Sequence, residues 1–331
     1  MLQPILKRLF DYNTLSKEEA RDILVNITSE NYSKSEVVAF LSVFMMRPVT
    51  VEELSGFRDG LLEQCKKIDL SEFDPIDMCG TGGDGKNTFN ISTLASLVVA
   101  GAGYKVAKHG NAGVSSSCGS SNVMEYLGYQ FTNNNDKLKK QIDQAGICFL
   151  HAPLFHPAMK AVGPIRRELG IKTFFNMLGP MVNPADVKNQ LVGVFSLELA
   201  RIYQYIYQET DKNFTIIHNV DGYDEVSLTD AFKLIANKGE QLLKPEDLGL
   251  PPNSPNDITG GNTVEESGAI FRNILNGRGT AAQENAVIAN AALAINTLEP
   301  KLSKEQCIEK ARDSLKSGRA SQTLKKLLDV Q

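Results

Sequence analysis

Short apolar runs alternate with helical stretches from Asp74 to about residue 220, and this alternation constrains the fold more than any other feature of the sequence. Five of the runs resemble strands, with Gly, Asn or Ser at their junctions: PIDMC, YKVAKHGN, GICFLHAP, QLVGVFS and NFTIIHNV. Strands that alternate with helices are typical of a mostly parallel sheet covered by helices. In such a sheet, ligands bind beyond the carboxyl ends of the strands. We therefore expect an α/β domain whose functional residues lie in the loops that follow the strands.

The N-terminal part of the chain has a different pattern, which predicts helices. Three capping-box signatures follow one another there: Ser16 with Glu19, Ser33 with Glu36, and Thr50 with Glu53. Three short helices bury little surface by themselves, so we expect a dimerisation or lid module that packs on the main domain or on another subunit. The prediction is a small helical domain over residues 1–70 and a larger α/β domain over residues 71–331.

The segment of about residues 160–185 interrupts the strand and helix alternation. It carries two late Gly or Pro stops, and we interpret Pro164 as a helix-start residue. We expect this segment to pack with the N-terminal helices.

Charge and cysteine content argue against several classes of protein. The 331 residues include 39 acidic and 35 basic side chains without a cluster of Lys and Arg, so an extended nucleic-acid surface is not expected. Five scattered cysteines without a C-x-x-C pair indicate neither a disulfide framework nor a zinc site. The N-terminus does not have the pattern of a signal peptide, and the most apolar run, LASLVVAGAG, is far shorter than the ~20 residues of a membrane span. We therefore expect a soluble, cytoplasmic protein.

The stretch CGTGGDGKNTFNIST, residues 79–93, partly matches two phosphate-binding patterns. A dinucleotide fingerprint needs an acidic residue about 20 positions further on, but the second strand ends in Lys108 and His109. A Walker A loop needs Ser or Thr after its lysine, but Asn87 follows here. Several glycines before a helix still let backbone N–H groups approach an anion, so we favour a phosphate site over a simple turn. The helix start adds further donors: Asn90, Ser92 and Thr93.

A second loop repeats this composition after the next predicted strand. KHGNAGVSSSCGSSN, residues 108–122, combines a lysine, an asparagine, glycines and several serines. A serine-rich loop is often only a solvated connection. Two such loops at consecutive strand ends of one sheet face each other, however, and together they indicate a site with room for two phosphate groups.

Asp224 and Glu225 directly follow the strand NFTIIHNV. Adjacent carboxylates in a loop are usually solvated charges. At the same sheet edge as two anion-binding loops, they would repel a polyphosphate unless a divalent cation lay between them. Mg²⁺ held by Asp224, Glu225 and the Ser92 hydroxyl is the interpretation that satisfies both charges.

Together, these motifs resemble the anthranilate phosphoribosyltransferase family. The resemblance rests on CGTGGDG with NIST, KHGN followed by SS and GS, the helix with GPIRR that leads to LGPMVNP, and the DE pair, and it runs in order along nearly the whole chain. It implies a nucleoside phosphorylase/phosphoribosyltransferase-like fold and a homodimer that forms through the N-terminal helices. It also implies transfer of a ribosyl phosphate from phosphoribosyl diphosphate (PRPP) to the amine of anthranilate, with Mg²⁺, in tryptophan biosynthesis.

The resemblance also implies roles for individual residues. Those that would contact PRPP are Gly80, Gly83, Asp84, Thr88, Asn90, Ile91, Ser92, Thr93, Lys108, His109, Gly110, Asn111, Ser115, Ser116 and Ser120. Those that would hold the metal are Ser92, Asp224 and Glu225. Those that would contact anthranilate are Gly80, Asn111 and Arg166. No side chain is implied as a covalent or acid–base catalyst, so catalysis is expected to rest on positioning and electrostatics.

Two positions depart from the family pattern. Ala112 stands where the family commonly has Arg, and the usual GSAD is GSSN, which ends in Asn122. Any contact of the missing arginine side chain is therefore in question. Contacts made by backbone and hydroxyl groups are not expected to change.

The histidines of HAPLFHP suggest a metal pair at first sight. Pro153 and Pro157 break the helical register that such a pair needs, so we interpret His151 and His156 as lining a pocket. A role for His109 or His156 as acceptor of the amine proton stays open.

Two other functions are compatible with this architecture. A pyrimidine nucleoside phosphorylase would handle ribose and phosphate, but its chain is typically longer and has no need of the acidic pair. A non-catalytic relative that binds nucleic acid would show a basic stripe, whereas this chain has an isoelectric point near 5.7.

Overall fold

A seven-stranded sheet forms the centre of the protein in a computed structural model, which describes residues 1–113 and 118–331. Its strands are β1 (Ile76–Gly80), β2 (Val106–Gly110), β3 (Ile147–His151), β4 (Asn189–Gly193), β5 (Asn213–Asn219), β6 (Phe232–Ala236) and β7 (Gly239–Leu243). The spatial order is β3-β2-β1-β4-β5-β6-β7. Strands β1 to β5 are parallel, and β6 and β7 add an antiparallel hairpin at one edge. The expected mostly parallel sheet is confirmed, and all five strand-like runs of the sequence are strands.

The strand order reverses between β1 and β4. From β1 the chain continues outward on one side to β2 and β3, and then returns to β4 on the other side of β1. A crevice opens at such a reversal, beyond the carboxyl ends of the two strands, and it is the usual place for a ligand in an open α/β sheet. Both strands end there in glycine, and the two residues, Gly80 and Gly193, are partners in the strand register.

Four helices precede the sheet: α1 (Gln3–Phe10), α2 (Lys17–Thr28), α3 (Lys34–Met46) and α4 (Val51–Glu63). The three predicted capping boxes are present, at Ser16, Ser33 and Thr50. In each box, the hydroxyl accepts the N–H of the glutamate three residues on, while that carboxylate accepts the N–H of the cap residue. Helix α1 was not predicted, although Pro4 stands in its first turn as proline often does.

Eleven further helices lie within the described residues after β1. They are α5 (Ile91–Gly101), α6 (Ser120–Tyr126), α7 (Asn135–Ala145), α8 (Ala152–Phe155), α9 (Met159–Leu169), α10 (Phe175–Leu178), α11 (Leu197–Gln208), α12 (Val264–Leu275), α13 (Ala281–Leu298), α14 (Lys304–Lys316) and α15 (Arg319–Val330). Helices α5 and α13 share one large apolar core with the sheet. No helix in the described parts of the chain is long and apolar enough to cross a membrane.

The segment around α9 and α10 packs on the N-terminal helices. The Phe174 ring stacks on Phe57 at a centroid distance of 4.2 Å, and Lys34 forms an ion pair with Glu168. One apolar cluster contains side chains from both regions. The interpretation of Pro164 was wrong, because this proline lies inside α9 rather than at its start. Helix α9 begins five residues earlier, so the missing N–H of the proline falls in the second turn.

Candidate active site

The glycine loop runs from the end of β1 to the start of α5. Gly82, Gly83 and Gly85 have φ values of 64°, 76° and 75°, a left-handed backbone conformation that glycine adopts without steric cost. The Asp84 carboxylate accepts the N–H of Lys86 at 3.0 Å, which tightens the turn. The loop therefore has a specific folded shape ahead of a helix N-terminus, as an anion site requires.

Asp224 lies directly over the ends of β1 and β4. A Cβ atom on Gly80 would stand 2.3 Å from Asp224 Oδ2, and one on Gly193 would stand 1.3 Å from the Asp224 carbonyl oxygen. The Gly82 N–H donates to Asp224 Oδ2 at 2.7 Å. Two glycines side by side in the sheet thus provide the space for this acidic residue.

Glu225 lies at the N-terminus of α5. Its carboxylate accepts hydrogen bonds from the N–H and the hydroxyl of Ser92, and Thr88 Oγ1 lies 3.4 Å from its Oε2. Burial, and then the charge of Asp84, raise the pKa of Glu225 to about 7. Burial, and then the charges of Glu225 and Asp84, raise the pKa of Asp224 well above its usual range. The nearby charge of Lys108 only partly offsets this effect at Glu225, so the charged forms of the two acidic groups remain disfavoured.

These residues fit a hard divalent cation. Mg²⁺ prefers oxygen ligands and is usually bound by one or two carboxylates together with substrate phosphates and water. Asp224, Glu225 and the Ser92 hydroxyl supply such oxygens, and a cation there would offset the charge that burial makes unfavourable. Among the described residues, no group of three or more His, Cys, Asp or Glu side chains forms a metal cage.

The other predicted residues of the first loop differ in exposure. Ile91 and Thr93 are buried, and the Thr93 hydroxyl has no partner among the described residues. Asn90 Nδ2 donates to the Cys118 carbonyl oxygen at 3.0 Å, which joins the first loop to the second. The two loops therefore lie next to each other, as their positions at consecutive strand ends suggested.

Lys108 is buried beneath the loops. The residue is only 1% exposed, and its Nζ donates to the Met78 carbonyl oxygen. Burial lowers its pKa, and the nearest acidic groups, among them Asp77, oppose this shift. In this structure the lysine contributes positive potential from below the crevice rather than from an exposed loop.

The second loop closes on itself at its two ends. Gly110 faces Ser120, whose Oγ would lie 2.5 Å from a Cβ at Gly110, and the Ser120 hydroxyl donates to the Asn111 carbonyl oxygen at 3.1 Å. The predicted residues Ser115 and Ser116 lie outside the described residues.

Asn122, one of the two departures, connects the ends of this loop. Its Oδ1 accepts the N–H of Gly113 at 3.0 Å and the N–H of Gly119 at 3.1 Å. Only an acceptor oxygen is needed for both contacts, which an amide supplies as a carboxylate would. At Ala112, the other departure, the backbone N–H donates to Asn111 Oδ1 and the residue is exposed.

His109 and His156 lie side by side, with ring centroids 5.4 Å apart. His109 Nδ1 is 3.0 Å from the Gly179 carbonyl oxygen, and His156 Nε2 is 2.8 Å from that of Val182. Burial lowers the pKa of each ring to about 4. Both rings are therefore neutral near pH 7, and each has one buried nitrogen without a partner in the described residues.

Arg166 projects from α9 and is half-buried. Its Nη2 donates to Asn176 Oδ1 at 3.2 Å, and its guanidinium lies 5.4 Å from the centre of the Phe175 ring. Burial lowers its pKa, and within the described residues no carboxylate forms an ion pair with it. The same segment reaches the glycine loop, because Lys172 Nζ donates to the Gly83 carbonyl oxygen.

Six of the described residues that line the crevice were not predicted from the sequence, and two of them, Gly193 and Asn290, contact the segment of the acidic pair. Gly193 ends β4, and Asn290 lies in the middle of α13; both line the cleft together with Gly80, Ser92 and the acidic pair. A polar side chain in an otherwise apolar run, AVIANAALAI, was the available signal for Asn290.

The sequence matches two family descriptions that agree with this architecture. Residues 72–321 match the a/b domain of the glycosyl transferase family, and residues 3–65 match its helical bundle domain. These two matches cover most of the chain and show a glycosyl transferase of this two-domain type.

Individual relatives narrow the family further. The chain is 60% identical to the anthranilate phosphoribosyltransferase of Flavobacterium johnsoniae over 99% of both chains, and 61% identical to that of Flavobacterium psychrophilum over 98% of both. Among solved structures, the anthranilate phosphoribosyltransferase from Thermus thermophilus matches with a TM-score of 0.91 and 31% identity over 98% of each chain. The enzyme from Saccharomyces cerevisiae in complex with PRPP and Mg matches with a TM-score of 0.92 and 28% identity, over 99% of this chain and 97% of that one. The chain belongs to the anthranilate phosphoribosyltransferase family.

Proposed function

We propose that this protein transfers the 5-phosphoribosyl group of PRPP to the amine of anthranilate, giving N-(5-phosphoribosyl)anthranilate and diphosphate, in tryptophan biosynthesis. The observation that supports it most is the acidic pair at the crevice between β1 and β4, where the buried Asp224 lies against the glycine loop and the half-buried Glu225 against a helix N-terminus. This arrangement suits a ligand with several phosphate charges and a divalent cation.

We assign the diphosphate end of PRPP to the two loops. The residues that we propose for PRPP as a whole are those expected from the sequence, including Gly83, Asn90 and Ser92, together with Ser115 and Ser116. Lys108 belongs to this set and acts on the diphosphate through its charge from below the crevice. Breaking the bond between the anomeric carbon and the diphosphate leaves negative charge on the departing oxygens. Backbone N–H groups of the glycine loop and the α5 N-terminus stabilise that charge. The ribose carbon develops positive charge at the same time, and the amine attacks it from the opposite side.

We propose Mg²⁺ as the cofactor, held by Asp224, Glu225 and the Ser92 hydroxyl. When bound, it supplies Lewis-acid stabilisation of the diphosphate oxygens. Support comes from the raised pKa values of the two carboxylates, because burial without a cation disfavours their charged forms.

We assign anthranilate to the region of Gly80, Asn111 and Arg166. A guanidinium can hold a carboxylate through two parallel hydrogen bonds, which would aim the amine of the acceptor. Arg166 is suited to this because it is half-buried and its present partners, Asn176 and the Phe175 ring, carry no charge. The aromatic amine is already a nucleophile, so holding it near the anomeric carbon is the main requirement.

We also propose a homodimer that forms through the N-terminal helices, with a domain boundary near residue 70. Exposed apolar side chains on or next to these helices support it: Met46 is 81% exposed, Tyr12 75% and Phe10 59%. Sedimentation should give twice the chain mass of 36.3 kDa, and a monomer at micromolar concentration would contradict the dimer. A cytoplasmic location is part of the proposal, in keeping with five cysteines that are all free.

The activity is tested by fluorescence. Anthranilate emission should fall when PRPP and Mg²⁺ are added to the protein, and EDTA should stop the loss. Thymidine and uridine with inorganic phosphate serve as a parallel assay for phosphorolysis. Phosphorolysis without loss of anthranilate emission, or salt-sensitive DNA binding without any product, would refute the proposed function.

A further inference from the structure

Asn290 is a buried polar residue in a helix that is otherwise apolar. It lies in the middle of α13 and is 3% exposed, and the residues from Ala286 to Ile295 are all buried. Asparagine is unfavourable in a helix interior by roughly 0.5 kcal/mol relative to alanine. A buried amide also needs partners for its donor and acceptor groups. The contacts of this side chain should therefore explain its position.

The Asn290 amide binds both backbone groups of one residue. Its Oδ1 accepts the N–H of Val226 at 3.1 Å, and its Nδ2 donates to the Val226 carbonyl oxygen at 2.9 Å. A third hydrogen bond, from Nδ2 to the Ala286 carbonyl oxygen at 2.8 Å, fixes the amide on its own helix. Val226 directly follows Glu225, so a rigid helix holds the chain at the point where the acidic pair ends.

The acidic pair needs such support. Asp224 and Glu225 are adjacent, and their carboxylates lie in the same cleft, which Asn290 also lines. Two carboxylates in one cleft repel each other when both are ionised, as metal binding requires, and burial adds to the cost. Without a fixed backbone, the loop would relieve this repulsion by moving the carboxylates apart and toward water.

We propose that Asn290 is a positioning residue for the metal and diphosphate end of the site. It holds the backbone at Val226 so that Asp224 stays against Gly80 while Glu225 stays against Ser92. This inference rests on the proposed function, because it concerns the same site. It adds a residue from a helix that is 64 positions away in the chain from the backbone group it holds.

The test compares Asn290→Ala with Asn296→Ala. Asn296 lies on the same helix, and its Nδ2 donates to the Leu302 carbonyl oxygen, away from the cleft, so it is a matched control for loss of a hydrogen bond in α13. Mn²⁺ is titrated into each protein with inorganic diphosphate present, and bound ion is measured by electron paramagnetic resonance. We expect Mn²⁺ affinity to fall roughly 10- to 100-fold in Asn290→Ala and to stay within about twofold of the parent in Asn296→Ala.

Steady-state kinetics give a second readout. The KM for PRPP should rise in Asn290→Ala, while the KM for anthranilate should stay within about twofold of the parent. A loss of folded protein alone would lower the apparent kcat and leave both KM values and the Mn²⁺ affinity unchanged. That outcome, or equal Mn²⁺ binding by the two variants, would overturn the inference.

Asn290→Leu is a second variant of similar volume, which avoids a cavity in the core. It should lose Mn²⁺ affinity as Asn290→Ala does. If neither variant folds, the side chain serves the fold alone and the inference is wrong. The proposed function fails separately, if the parent protein gives no product from anthranilate and PRPP.

Discussion

Replacement of Gly80 by alanine tests whether the position of Asp224 matters. The added Cβ would stand 2.3 Å from Asp224 Oδ2 and 2.9 Å from its Cγ, whereas ordinary contacts begin at 3.4 Å. The carboxylate must therefore move by about 1 Å, or the strand end must move away from it. A misplacement of about 1 Å in a catalytic group can cost roughly 100-fold in rate. We expect kcat/KM to fall by about that factor, and half-saturation with Mg²⁺ to require a higher concentration.

The loss of activity should not come from unfolding, because the protein should stay folded at the assay temperature. Overpacking of this kind destabilises by about 1–3 kcal/mol, which lowers Tm by a few degrees in a chain of this size. Gly163→Ala is the control, because its Cβ would meet only Arg167 Nη1, at an ordinary 3.7 Å. The assay is the loss of anthranilate fluorescence over a range of Mg²⁺, with Tm from calorimetry. If Gly80→Ala keeps the kcat/KM and Mg²⁺ dependence of the parent, the reasoning about Asp224 is refuted.

Three further predictions concern ionisable side chains of the site. Arg166→Ala should raise the KM for anthranilate by roughly 10- to 100-fold, because a charged hydrogen-bonded pair is lost. Arg167 is exposed, so Arg167→Ala should leave this KM unchanged, and an unchanged KM in Arg166→Ala would contradict the assignment. The folded pKa of Glu225, about 7, is raised above its value in the unfolded chain, so in EDTA this group lowers stability as pH rises from about 4.5 through 7. At pH 8, Glu225→Gln should therefore have a higher Tm than the parent, with a gain in free energy of unfolding of roughly 3 kcal/mol at most, and at pH 4 the two Tm values should be the same. Equal Tm values at pH 8 would argue against the pKa shift. In the folded protein the pKa values of His109 and His156 are lowered to about 4. As pH falls from about 6.5, these histidines are therefore protonated in the unfolded chain before they are protonated in the folded one. By pH 5 each ring lowers the free energy of unfolding by about 2 kcal/mol. His156→Asn should lose less stability between pH 7 and pH 5 than the parent does in urea unfolding, and an equal loss would show that this ring does not carry the effect.

Features set by short stretches of sequence were predictable. The capping boxes at Ser16, Ser33 and Thr50 involve groups three residues apart, so the pattern contains both partners. The five parallel strands were recognisable because buried strands are continuous apolar runs. The hairpin of β6 and β7 was not predicted, because four of the five residues of β7 are exposed and its sequence, GEQLL, has little apolar character.

Features set by pairing distant segments were not predictable in the same way. The alternation of strands and helices predicted that Asp224 and Glu225 lie at the same edge of the sheet as the glycine loop. It did not suggest that Gly193 makes room for Asp224, since this depends on the register of β4 against β1. Asn290 also escaped notice, because its partner Val226 is far away in sequence and nothing local indicates the contact. Pro164 was predicted to start a helix from a local rule, but α9 already begins at Met159 and the proline lies inside it.

The segment that carries Arg166 shares its apolar core with the N-terminal helices, whereas the acidic pair is built on the sheet and α13. Arg166, which is assigned to the arylamine carboxylate, thus has a different structural support from the acidic pair, whereas Gly80 and Asn111 lie at the sheet edge. Attempts to broaden the range of accepted amines should accordingly begin at Arg166 and its partners in α10, Phe175 and Asn176. Changes at Gly80 or Gly193 offer no such freedom, because a single added methyl group would collide with Asp224.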